Sequence, residues 1–107
     1  DLFERYRSSE DFIQKYIFPG GFLPSLGFMK LLIEKNSLNL LKVNSYPDDY
    51  AKTLAIWREN FLKVWSNIAP LGFDETFKRM WEFYLTYCEA GFKSKNIDLI
   101  QFSMSNK

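Results

Sequence analysis

The side chains that could do chemistry in this chain are few, and the two best candidates fall on separate apolar stripes. Tyr50 opens a run in which Tyr50, Leu54, Trp57, Phe61, Trp65 and Ile68 recur at steps of three and four, the spacing of one helical face. Its phenol could reach past that face to orient an anion or a proton carrier, or it could serve as an ordinary core tyrosine. Cys88 falls on a second stripe with Phe77, Met80, Trp81, Tyr84 and Phe92. No cationic residue adjoins it to activate the thiol, which favours inert packing over nucleophilic work. The acids Asp48 and Asp49, and again Asp74 and Glu75, look like paired catalytic carboxylates. Both pairs stand at helix starts, where the helix dipole favours negative charge, and they are assigned to capping. Phe61, Trp65, Phe73, Phe77, Trp81, Phe83 and Phe92 suit either the lining of an acyl cavity or plain core.

Several chemistries are excluded within these residues. With no histidine and one cysteine, there is no Ser/His or Cys/His nucleophile, no internal disulfide and no cysteine-built zinc site, so no metal is expected. The run Phe18-Pro19-Gly20-Gly21 is a helix-ending turn. It has neither the spaced glycines nor the lysine of a phosphate loop, so no nucleotide-type cofactor site is encoded here. The 14 basic and 13 acidic residues are scattered and sum to +1, which argues against a nucleic-acid partner. Apolar runs stop well short of the roughly 20 residues of a spanning helix. Any membrane contact is therefore expected to be peripheral, in a reducing, cytoplasmic setting.

The elements that must position these residues follow from caps and breakers. At 107 residues, 47% hydrophobic and 25% charged, the chain reads as one folded unit. Aromatics at 19% exceed what a small core requires, so part of that surface should meet an acyl chain or another protein layer. Ser9, Glu10 and Asp11 offer a cap and first-turn acids for a short helix through Phe12, Ile13 and Tyr16, ended at Pro19. Ser25 caps a second helix that stops near Asn36. Leu38 to Val43 reads as a strand buried on both faces. Asp48 caps the long helix carrying Tyr50, which Pro70 and Gly72 break. Asp74 and Glu75 begin its antiparallel partner, and Ile97 to Met104 reads as a second buried strand. Two such strands need further sheet neighbours, supplied by a larger α/β sheet or by a homo-oligomer.

Four segments in order carry a resemblance. They are Phe12-Ile13-Gln14-Lys15-Tyr16-Ile17-Phe18-Pro19-Gly20-Gly21 with Leu23-Pro24-Ser25; Asp49-Tyr50-Ala51-Lys52-Thr53-Leu54 with Trp57-Arg58; Phe77-Lys78-Arg79-Met80-Trp81-Glu82-Phe83-Tyr84-Leu85 with Cys88; and Ile97-Asp98 with Gln101-Phe102. Together they resemble the C-terminal part of the cyclopropane-fatty-acyl-phospholipid synthase and mycolic acid cyclopropane synthase family. The resemblance implies an α/β fold: residues 1–107 would be the helix-rich, two-stranded C-terminal fragment of a seven-stranded, Rossmann-like, S-adenosylmethionine-dependent methyltransferase. These residues would form the lipid-pocket side, and the cofactor would be bound by an N-terminal half that they do not include. The implied reaction transfers a methylene to the cis double bond of a phospholipid acyl chain, with bicarbonate taking the proton. Tyr50 matches the tyrosine that helps hold bicarbonate, and Cys88 matches the cysteine traditionally placed in the active site. Implied partners are an unsaturated phospholipid and the membrane surface that holds it; the isolated fragment would be inactive. Two alternatives remain open: the same superfamily with another acceptor, or a noncatalytic lipid-binding or dimerising module.

Overall fold

A computed structural model describes Arg5 and residues 11–107. The expected cap at Ser9 and Glu10 lies outside the described residues. The chain divides into two compact units, Asp1–Ser45 with Ile100–Lys107, and Tyr46–Leu99.

In the first unit, Asp11 and Gln14 exchange two hydrogen bonds. The Gln14 amide donates to Asp11 Oδ1 and the Asp11 amide donates to Gln14 Oε1, each at 2.9 Å. This closes the start of a π-helical turn, Ile13–Ile17, and the Gln14 side chain also donates to the Gly21 carbonyl at 3.1 Å. Gly20 adopts φ +78° in the turn that follows, a conformation costly to any residue with a Cβ. Helix α1, Leu26–Lys35, is capped as expected: Ser25 Oγ accepts from the Phe28 amide at 3.1 Å. It packs on strand β1, Leu38–Ser45, with Ile33 buried.

Strand β1 pairs antiparallel with β2, Ile100–Asn106, from Leu38 opposite Asn106 to Ser45 opposite Ile100, with an irregularity between Leu40 and Lys42. Two expectations are corrected here. No residue of either strand is fully buried, because a two-stranded antiparallel ladder alternates its side chains between a covered and an open face. The second strand also begins three residues later than its apolar pattern suggests. Ile97 is used as an anchor instead: its amide donates to the Gly91 carbonyl at 3.3 Å. A Cβ at Gly91 would stand 2.9 Å from Ile97 Cδ1, so glycine leaves room for that contact.

The second unit is a helix pair. Helix α2, Pro47–Lys63, starts from Tyr46 with Pro47 in its first turn. Asp48 is thus a first-turn acid and not the cap; its carboxylate lies 3.5 Å from Lys95 Nζ. The stripe is interrupted at Val64, before Pro70, leaving the single turn Trp65–Ile68 and the 3₁₀ turn Ala69–Leu71. Gly72, at φ +106°, turns the chain. Helix α3, Glu75–Lys93, is capped by Asp74, whose Oδ1 accepts from the Phe77 amide at 2.9 Å. Contacts of Tyr50 with Phe92, Arg58 with Glu89 and, from the turn after α2, Trp65 with Phe77 run in opposite order along the two segments, the antiparallel arrangement expected. Ala51, Leu54, Leu85, Cys88 and Phe92 form the core between them.

Candidate active-site helix pair

Tyr50 sits in the first turn of α2, where its amide donates to the Tyr46 carbonyl at 3.1 Å. Its ring is clamped by two edge-on contacts, with Phe92 at 4.8 Å and 83° and with Trp57 at 5.8 Å and 84° between centroids and planes. Such contacts are worth about 0.5–1.5 kcal/mol each beyond burial, so the direction of the phenol is fixed by the fold. On α3, Tyr84, Cys88 and Phe92 follow one another at steps of four, which places them on one face. Cys88 is 7% exposed, and that exposure decides against a freely accessible nucleophile.

The structure adds Tyr84, which the sequence reading placed only in the apolar stripe. Burial, the charges of Cys88 and Tyr50, and a side-chain hydrogen bond with Cys88 all raise the Tyr84 phenol above its ordinary value. Tyr84 and Cys88 lie one helical turn apart on α3, and Tyr50 meets the same helix at Phe92, one turn beyond Cys88. The Tyr84 ring meets Trp81 edge-on at 5.3 Å. The available signal was its position four residues before Cys88, on the same helical face.

The surroundings are aromatic. Phe61, Trp65, Phe77 and Trp81 form a continuous ladder with centroids 5.7, 6.4 and 6.0 Å apart, joined by Phe73 at 4.5 Å from Phe77. Phe83 stands apart, stacked on Tyr87 and 52% exposed. Glu89, the acid beside Cys88 in sequence, is held by Lys93 at 3.0 Å and Arg58 at 3.8 Å and is not poised as a base for the thiol. Among the described residues no group of three or more His, Cys, Asp or Glu side chains could hold a metal. None of their helices is long and apolar enough to cross a membrane.

A phenol such as that of Tyr50 can donate a hydrogen bond to an oxyanion and is too weak an acid to protonate one at neutral pH. S-adenosylmethionine does not fit the described residues. Gly20 and Gly72 occupy turns, Gly21 lies against the Phe18 carbonyl, and Gly91 is taken up by Ile97. The first turns of α1 and α3 are closed by Ser25 and Asp74, and that of α2 carries two aspartates.

Residues 2–102 match the family model of mycolic acid cyclopropane synthetase. Over 99 residues the chain is 44% identical to the tuberculostearic acid methyltransferase UfaA1 of Mycobacterium tuberculosis, a match covering 92% of this chain and 23% of that protein. Over 96 residues it is 36% identical to the cyclopropane-fatty-acyl-phospholipid synthase of Escherichia coli, covering 90% and 25%. It superposes on the crystal structure of mycolic acid cyclopropane synthase CmaA1 complexed with SAH and CTAB with a TM-score of 0.83 and 31% identity, covering 95% of this chain and 34% of that one. The chain thus spans about a quarter of the length of these curated relatives.

Proposed function

The chain belongs to the mycolic acid cyclopropane synthetase family, and from that premise we propose that it is the substrate-side part of a longer S-adenosylmethionine-dependent cyclopropane-fatty-acyl-phospholipid synthase. That enzyme adds a methylene carbon across the cis double bond of a phospholipid acyl chain at a membrane surface, and these residues alone do not catalyse it. S-adenosylmethionine, bound elsewhere in the longer protein, is the source of the carbon. The observation that carries this reading is the Tyr50 phenol clamped by Trp57 and Phe92, on a helix pair whose core holds Cys88 and which also carries an aromatic ladder.

The chemistry suits such a site. An alkene is a poor nucleophile, and the cationic carbon formed when it is alkylated survives only where water is kept out and aromatic faces lie near. A protein carboxylate or free thiol at that point would trap the cation; here Glu89 is ion-paired and Cys88 is buried. Tyr50 would hold bicarbonate by donating its phenolic O–H, and bound bicarbonate supplies the proton acceptor that Tyr50 lacks. The donor set fits an oxyanion and no cation.

A second reading is favoured by the 44% identity with a tuberculostearic acid methyltransferase: the same attack on an acyl double bond, in which a hydride shift along the chain and loss of a proton from the new methyl leave a methylene branch instead of a ring. Both readings place Tyr50 at the anion. Tyr50→Phe in the complete gene product should lower turnover by roughly 10²-fold, the lower end of the range for losing a positioned proton-transfer group, with the fold kept by the isosteric ring. Unchanged turnover and bicarbonate dependence in that variant would remove Tyr50 from the site.

A further inference from the structure

The two rings that hold Tyr50 differ in kind. Phe92, edge-on at 4.8 Å, is 8% exposed and belongs to the core between α2 and α3, where any large apolar side chain would help to join the helices. Trp57, edge-on at 5.8 Å and 84°, is 47% exposed. Burial alone is a weak reason for so large a ring at a half-open position. Its placement supplies another. Trp57 stands two turns beyond Tyr50 on α2, and a long side chain on a helix leans back over the turn before it. The indole therefore reaches the Tyr50 ring from the same helix, and that ring is held once by the partner helix and once by its own.

We propose that Trp57 is a positioning residue of this site: its half-exposed indole fixes the angle of the Tyr50 ring, and with it the direction in which the phenolic O–H is offered to a bound oxyanion. Its contribution to the stability of the helix pair is smaller than that of Phe92. Direction matters because a hydrogen bond weakens steeply as its angle falls below about 120°. A phenol ring free to swing about its side-chain torsions spreads its O–H over many directions. Packing the ring edge-on removes that swing before the anion arrives. This inference rests on the anion-holding role proposed above for Tyr50.

The test uses the complete gene product as wild type, Trp57→Leu, Trp57→Phe, Phe92→Leu, Tyr50→Phe and the double variant Tyr50→Phe with Trp57→Leu. Two quantities are measured: turnover on vesicles of unsaturated phospholipid across a bicarbonate series, and the ring resonances of 13C-labelled tyrosine as bicarbonate is added without acceptor. The Tyr50 resonances are those absent from Tyr50→Phe. Trp57→Leu, which keeps an apolar side chain and removes the ring, should lower kcat roughly tenfold, a fraction of what misplacing a reacting group can cost. It should also raise, several-fold, the bicarbonate concentration giving half-maximal rate and that giving half the Tyr50 resonance shift, with KM for the lipid little changed. Trp57→Phe, which restores a ring edge, should recover most of both. The thermal midpoint should fall less in Trp57→Leu than in Phe92→Leu, and in the Tyr50→Phe background Trp57→Leu should lower the rate no further. Unchanged kcat and bicarbonate dependence in Trp57→Leu would overturn the proposal, as would Tyr50 resonances indifferent to that substitution. Losses that multiply in the double variant would remove this inference alone, whereas a Tyr50→Phe enzyme with full turnover and unaltered bicarbonate dependence would remove the anion-holding role together with it. If the wild type ignores unsaturated phospholipid, the substrate reading fails and the resonance titration still decides the role of Trp57.

Discussion

Tyr50, Tyr84 and Cys88 are each set by a different part of the fold. The ring contacts of Tyr50 fix its direction, burial and Cys88 hold the proton of Tyr84, and the core of the helix pair encloses Cys88. The raised phenol of Tyr84 has a consequence for stability. The native state favours the protonated form, so its contribution is intact below about 10, the usual phenol value, and is lost as pH rises through the higher folded value. Alkaline unfolding of the complete gene product should therefore be steeper above about pH 10 in wild type than in Tyr84→Phe, with the two curves parallel at lower pH. Identical alkaline slopes would show that Tyr84 carries no such penalty. Tyr50 and Cys88 were both legible as stripe positions with polar atoms. Their proximity was not, because it depends on the pairing of α2 with α3, which sets Tyr50 against Phe92 one turn beyond Cys88.

At the scale of elements, the caps were read well where side-chain geometry alone decides them. Ser25 and Asp74 each accept from the amide three residues on, the arrangement that satisfies an orphan donor at a helix start. Asp74→Ala should cost about 1 kcal/mol, read as a lower denaturation midpoint with an unchanged denaturant slope; no change would show that the first turn of α3 is held by packing. Asp48 was misread because Pro47, which lacks an N–H and suits the first helical turn, moves the helix start back to Tyr46. The second strand was begun too early because an apolar run cannot distinguish a ladder residue from an anchor such as Ile97. Lys95 at φ +65° and the Ile97 amide on Gly91 end the helix before the strand begins. Nothing in the sequence explains the break at Val64.

At the scale of the whole molecule, much apolar surface stays open on this chain: Leu71 is 75%, Leu31 65% and Leu41 64% exposed. Single exposed apolar residues are ordinary, but so many, with two strands open on one face, suit a chain covered by further protein or by lipid. The chain spans about a quarter of the length of the curated relatives it matches. The expectation of an α/β methyltransferase fold came from four ordered segments and holds over nearly the whole chain. Composition alone led no further than one aromatic-rich folded unit, because the identity of an acceptor resides in a complete pocket. The most direct measurement is mass analysis of the acyl chains after the complete gene product is incubated with S-adenosylmethionine carrying a labelled methyl group and vesicles of unsaturated phospholipid. Acyl chains one labelled carbon heavier, with the double bond replaced by a cyclopropane ring, are the expected result; unlabelled acyl chains with the double bond intact would contradict it.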